Sequence, residues 1–151
     1  MASERGSRRR ARELALQVLH QVDVQPELDA AVALSRFYGD LSVGEDGAQE
    51  NEAPSDSEAR AYAETIVRGV AGERAGIDQR ITSASKNWRL ERMSVVDRNV
   101  LRICVFELFH TGDVPPKVAI NEAIEVAKRF GEKESSAFVN GVLDRVLADG
   151  K

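Results

Sequence analysis

SVVDRNVLRICVFELFH, residues 94–110, is the most continuously apolar segment of the chain, and in its second half only Arg102 and Glu107 carry a charge. A helix that is apolar on nearly every side belongs in a core, and the segment is longer than a typical strand. Ser94 and Asp97 have the spacing of a capping box, which places a carboxylate in the first turn. The sequence therefore predicts a central helix around which the other elements pack.

Charge is distributed unevenly along the chain, whose 151 residues fit one domain of ordinary size. The formal net charge of -4 is the sum over the whole chain and hides one strongly acidic and one strongly basic segment. Residues 40–58 contain seven acidic and no basic side chains, whereas residues 1–12 contain five arginines and one glutamate. The acidic stretch has too few apolar groups to offset the entropy of ordering it. We expect a single domain over residues 1–151, with an acidic, mobile surface loop at about 40–57.

The residues that usually carry catalysis are scarce. Cys104 is the only cysteine, and its position in the most apolar segment favours a buried packing role over a nucleophilic one. With His20 and His110 as the only histidines, neither a metal cluster nor a nucleophile with its base can be assembled. We therefore expect no catalytic residue, no metal and no cofactor.

No apolar run approaches the roughly 20 residues that span a bilayer. The basic N-terminus leads into an amphipathic segment, whereas a signal peptide would continue into an apolar one. We expect a soluble protein that stays in the reducing cytoplasm and does not contact a membrane.

Apolar periodicity and helix punctuation predict an all-α fold of about seven helices, because no stretch alternates with a period of two. Ser7 is expected to cap a first helix that ends near Val24, and Ser135 or Ser136 to cap the last one. Trp88 is expected to fill the junction before the central helix. Gly141, inside the last helix, suggests a close approach of a neighbouring helix.

The arginines near the N-terminus form the strongest binding signal. Arg5, Arg8, Arg9 and Arg12 recur at helical spacing and share one flank, which Leu16 and His20 continue, whereas Arg10 points elsewhere. Four like charges on one flank repel one another, and cations in a first turn oppose the helix dipole. A flank that is locally unfavourable in this way suggests an anionic partner, and phosphate is the usual one.

Four segments resemble the NusB family of bacterial transcription antitermination factors: RRRARELALQVLHQ at 8–21, NWRLERMSVVDRNVLRICVFEL at 87–108, DVPPKVAINEAIEVAKRFG at 113–131 and SSAFVNGVLDRVL at 135–147. The resemblance implies two small packed helical bundles without catalytic activity. It also implies binding of single-stranded boxA-type RNA together with NusE, a small-subunit ribosomal protein. The implied setting is an antitermination complex with RNA polymerase that supports ribosomal RNA transcription.

Transferred position by position, the resemblance implies a set of binding residues. It places Asp97 opposite NusE, although helix capping accounts for that residue equally well. Phe138 offers a ring on which a base can stack, with core packing as the alternative. The chain departs from the family at His20, where an aromatic residue is usual, and at Ala137, where a lysine is frequent. The residues implied to bind RNA are Arg8, Arg9, Arg10, Arg12, His20 and Phe138.

Two alternatives from other classes stay open at this point. Ribosomal RNA methyltransferases carry a similar helical RNA-binding module ahead of their catalytic part, so a methyl-donor site would have to follow Lys151. The chain could also be a structural helical interaction protein whose arginines bind an acidic protein. Competition by RNA but not by acidic peptides would separate RNA binding from that third interpretation.

Overall fold

The computed structural model describes residues 2–36 and 54–150. Most of the predicted acidic loop therefore lies outside the described residues, and its last residues, 54–57, are helical. Helices and turns, with no strand, make up the described residues, which confirms the all-α prediction. The helices are α1 (Ala2–Val24), α2 (described over 30–36), α3 (Pro54–Gly72), α4 (Arg74–Ala84), α5 (Val95–Phe106), α6 (Pro116–Phe130) and α7 (Ser135–Asp149).

The chain forms two compact units, Met1–Arg68 and Gly69–Lys151. In the first unit, α1 buries its apolar stripe at helical spacing, as the sequence predicts. Ser7 is 5 % exposed inside this helix, which begins at Ala2, so the predicted cap at Ser7 is wrong. The buried apolar residues of this unit are Ala11, Leu14, Ala15, Leu16, Val18 and Leu19 of α1, Ala33 and Leu34 of α2, and Ala59, Ala63, Ile66 and Val67 of α3.

The second unit is built around α5, which contacts α4, α6 and α7. Every residue of α5 from Asn99 to Phe106 is buried, which confirms the prediction of a central helix. At its start, the Ser94 hydroxyl accepts a hydrogen bond from the Asp97 N–H at 3.0 Å, so Ser94 is the predicted N-cap. At its end, the chain continues as a π-helical turn, Glu107–Thr111, and leaves it through Gly112, whose φ of 77° favours glycine.

The buried charge inside α5 is held by an ion pair with a partly exposed carboxylate. Arg102 is 3 % exposed, and its Nε donates to Asp78 Oδ1 of α4 at 2.8 Å while Nη2 donates to Oδ2 at 3.2 Å. Asn99 Oδ1 accepts from Arg102 Nη1 at 3.0 Å. A bidentate guanidinium–carboxylate pair is among the stronger polar contacts available to a protein, so a charged residue can lie in the core and join α4 to α5.

Two predictions about the last helix are wrong. A Cβ built on Gly141 would meet nothing within 4 Å, so no neighbouring helix approaches closely there. A close approach occurs instead at Gly69, where a Cβ would overlap the ring of Phe106. Ser135 is the first residue of α7, and its Oγ accepts from the Glu132 N–H at 2.9 Å, so it orders the preceding turn instead of capping the helix.

Candidate nucleic-acid interface

The exposed side of α1 carries the basic residues that can reach a ligand. Arg9, Arg10, Gln17 and His20 are exposed, and Glu13 between them is half-buried. Arg9 and His20 lie about three turns apart on the same side of the helix, because an α-helix has 3.6 residues per turn. This side also includes Arg10, although the spacing of the arginines predicts that it points away from the others. We call Arg9, Arg10 and His20 the basic face of α1.

Arg12 does not belong to this face. Arg12 is 4 % exposed, so the structure does not present it to solvent as the predicted strip required. Three and four residues further on, Ala15 and Leu16 are buried, and these positions lie beside Arg12 on the helix surface. The apolar residues at these positions are visible in the sequence, but their burial together with that of Arg12 is decided by the tertiary structure.

The exposure of Arg8 is intermediate between that of the basic face and that of the buried Arg12. It is half-buried, and its guanidinium carbon stands 4.4 Å from the centroid of the Tyr62 ring of α3. A guanidinium over an aromatic face is attracted by the ring quadrupole and keeps its charge. Arg8 is therefore held against α3 by its guanidinium group, and it retains partial exposure beside the basic face.

The start of α1 also decides whether the helix dipole acts on the arginines. Since the helix begins at Ala2, Arg8 to Arg12 occupy its second and third turns, whereas a helix capped by Ser7 would place arginines in the first turn. The dipole effect falls off within the first turn, so opposition to the dipole does not account for these residues. The electrostatic feature that still suggests an anionic partner is the presence of two adjacent, exposed positive charges, Arg9 and Arg10.

The predicted stacking residue lies in the second unit. Phe138 is half-buried in the first turn of α7, so it is neither a core residue nor a fully open ring. Its ring meets that of Trp88 edge to face, with centroids 6.2 Å apart and an angle of 79° between the planes. Trp88 is 55 % exposed, so the prediction that it fills a junction is wrong. Its polar neighbours Lys86, Asn87 and Arg89 were the sequence signal for an exposed position.

Asp97 is half-buried beside its cap. Its Oδ1 is buried and has no hydrogen-bond partner among the described residues, while its backbone N–H donates to Ser94. A buried acceptor without a donor is costly. The cap uses only the backbone of Asp97, so capping does not account for the carboxylate, and the predicted partner contact stays a prediction.

Two properties of the described part of the chain concern metal ions and membranes. It contains no group of three or more His, Cys, Asp or Glu side chains arranged to hold a metal ion. None of its helices combines the length and the apolar character that crossing a membrane requires. Cys104 is buried in α5, as its apolar surroundings predicted.

Comparison with known proteins gives a consistent relationship over most of the chain. The NusB family pattern matches residues 9–148. Transcription antitermination protein NusB of Anaeromyxobacter dehalogenans (strain 2CP-1) is 52% identical over 142 residues, which are 93% of this chain and 90% of that protein.

Solved structures give the same relationship at the level of the fold. A structure of T. maritima NusB is similar with a TM-score of 0.78 and 35% identity, over 94% of this chain and 91% of that one. A complex of the antitermination factors NusB and NusE with dsRNA contains a chain that is similar with a TM-score of 0.77 and 24% identity. That match covers 95% of this chain and 97% of the other, and at this identity it shows the fold alone.

Proposed function

The chain belongs to the NusB family, and on that premise we propose that it is a non-catalytic transcription antitermination factor that binds RNA through the basic face of α1. The function of its relative from Anaeromyxobacter dehalogenans supports the first part of this proposal, because that protein is an antitermination protein by name. The same name favours antitermination over the methyltransferase module that the sequence left open.

The observation that carries RNA binding is the exposure of Arg9 and Arg10 together with His20 on one side of α1. Guanidinium groups bond phosphate oxygens in a fixed, forked geometry and also stack on bases. Single-stranded RNA offers both, since its bases are splayed out and its phosphates are accessible. Arg8, held on Tyr62, adds a partly exposed charge beside this face, whereas Arg12 is assigned a structural role because it is buried.

The finer proposal is that the RNA is a single-stranded boxA-type segment, bound together with NusE in a cytoplasmic antitermination complex with RNA polymerase, in support of ribosomal RNA transcription. The resemblance carries this part. A solved NusB and NusE complex, related to this chain in fold, contains dsRNA. The strandedness of the RNA is therefore the first property to test.

The experiment is a fluorescence-anisotropy titration of labelled boxA-type RNA, alone and annealed to its complement, with and without NusE. We expect the single strand to bind more tightly than the duplex, and NusE to strengthen binding. Acidic peptides should not compete. Competition by acidic peptides equal to that by RNA would instead support a protein partner for the basic face.

The role of the basic face is tested by the salt dependence of binding. Each phosphate contact on a single strand contributes about 0.7 to the slope of log affinity against log salt, because it releases condensed counterions. Arg9→Gln and Arg10→Gln should each weaken binding and flatten that slope by about 0.7. Arg36→Gln is the matched control, because Arg36 is an exposed arginine of the same unit. Equal slopes for all three variants would refute the assignment.

A further inference from the structure

Trp88 is the most exposed large apolar side chain among the described residues, with 55 % of its surface accessible. Tryptophan is among the most buried residues on average, because its indole ring removes a large apolar area from water when it packs. Here the protein places that ring at the surface of the second unit.

The backbone that carries Trp88 is fixed at both ends. The Trp88 N–H donates to the Ser85 carbonyl at 2.9 Å, and the Ser85 hydroxyl lies 3.2 Å from the Trp88 carbonyl and 2.7 Å from that of Ile81. Ser85 itself is 7 % exposed. The turn after α4 is therefore tied to the buried end of that helix, so the exposed position of Trp88 is a property of an ordered turn.

The ring geometry leaves room for a ligand. Trp88 and Phe138 meet at 79°, and in an edge-to-face pair each ring covers at most one face of the other. At least one indole face is therefore not covered by Phe138. The half-buried Phe138 supports the indole, and the uncovered indole face is a flat surface.

The charged residues next to Trp88 in the chain indicate what kind of ligand the Trp88–Phe138 pair would bind. Lys86 and Arg89 flank Trp88 in the sequence, and both are exposed. Neither forms an ion pair with any residue that the structure describes. A flat apolar surface that has two available cations next to it in the chain is complementary to a nucleobase and its adjoining phosphates.

From these observations we propose that Trp88 is an RNA-binding residue of the second unit, on which a base of single-stranded RNA stacks beside Phe138 while Lys86 and Arg89 contact phosphates. This assignment rests on the proposed RNA-binding function, and it adds Trp88, which neither the arginine spacing nor the resemblance indicated, to the stacking ring of Phe138 that the resemblance implied. Base stacking on an aromatic ring tolerates any base, so the platform contributes affinity more than sequence preference.

The test uses the fact that Trp88 is the only tryptophan of the chain. Its intrinsic fluorescence therefore reports this one position in the unmodified protein. During a titration with boxA-type single-stranded RNA, we expect saturable quenching of Trp88 fluorescence with the same midpoint as the anisotropy of the labelled RNA. Free N-acetyltryptophanamide under the same RNA concentrations corrects for light absorbed by the RNA.

Variants separate stacking from the general loss of apolar surface. Trp88→Ala should weaken RNA binding by about 5- to 150-fold, which corresponds to the value of one stacked base. Trp88→Phe keeps a ring and should lose less affinity. Val118→Ala is the matched control, since Val118 is an exposed apolar residue of the same unit, 45 % accessible, and should bind as the parent does. Lys86→Gln and Arg89→Gln should each flatten the salt slope by about 0.7.

The outcomes distinguish this inference from the proposed function. If anisotropy shows RNA binding but Trp88 fluorescence is unchanged and Trp88→Ala binds normally, the stacking assignment is wrong and the RNA-binding function stands. If the parent protein shows no binding of RNA by anisotropy, the proposed function fails as well. If NusE alone quenches Trp88 and RNA causes no change with or without it, the surface faces a protein and the inference is overturned.

Discussion

Substituting Gly69 by alanine should destabilise the protein, although the same change inside a helix usually stabilises it. A Cβ at this position in α3 would overlap the ring of Phe106, with Phe106 Cδ1 at 2.8 Å from it. Phe106 is 6 % exposed, so the ring cannot move aside into solvent. Overpacking of this kind costs about 3 kcal/mol at the upper end of its usual range, and the gain from replacing glycine in a helix is about 1 kcal/mol.

The expected net loss for Gly69→Ala is therefore about 2 kcal/mol, or a melting temperature lower by about 4 to 8 °C for a chain of this size. Gly141→Ala is the matched control. A Cβ there meets nothing within 4 Å, so this variant should gain about 0.5 to 1 kcal/mol from helix propensity alone.

The assay is urea and thermal denaturation followed by far-ultraviolet circular dichroism, with Gly69→Ala, Gly141→Ala and the double variant Gly69→Ala/Phe106→Leu. The smaller leucine should relieve part of the overlap, so the two changes should couple and the double variant should lose less than the sum of the single losses. A Gly69→Ala variant as stable as Gly141→Ala would refute the close approach. Additive losses in the double variant would refute Phe106 as its cause.

Two further predictions concern the polar contacts of α5. Asp78→Ala should lower the free energy of unfolding by about 3 kcal/mol in urea titrations, because it removes a bidentate carboxylate from the buried guanidinium of Arg102. Arg102→Met should lower the free energy of unfolding by less. Its partner Asp78 is partly exposed and retains an ion pair with Arg74 at 3.2 Å. Asp97→Lys should weaken NusE binding in a pull-down titration and leave RNA binding by the protein alone unchanged, while Asp97→Asn should melt as the parent does, because the cap uses the backbone N–H. A specific loss of stability without loss of NusE affinity would make Asp97 structural.

Local periodicity was sufficient to predict the helices and the central, buried one among them. The apolar run of α5 and the Ser94 cap follow from neighbours within one or two turns. A helix repeats its environment every 3.6 residues, so such features are encoded in a short stretch of sequence. The sequence by itself therefore determined the fold class, the central helix and the family resemblance.

The environment of individual side chains depended on segments far apart in the chain. Arg12 looked like part of an exposed strip until its burial was known, and Trp88 looked like a core residue although its ring lies at the surface against Phe138. The close approach occurs at Gly69 and not at Gly141, because Phe106 of α5 reaches the backbone of α3. Spacing along one helix cannot indicate which distant residue covers a given side, so these contacts, and with them the basic face and the aromatic pair, were decided only by the tertiary structure.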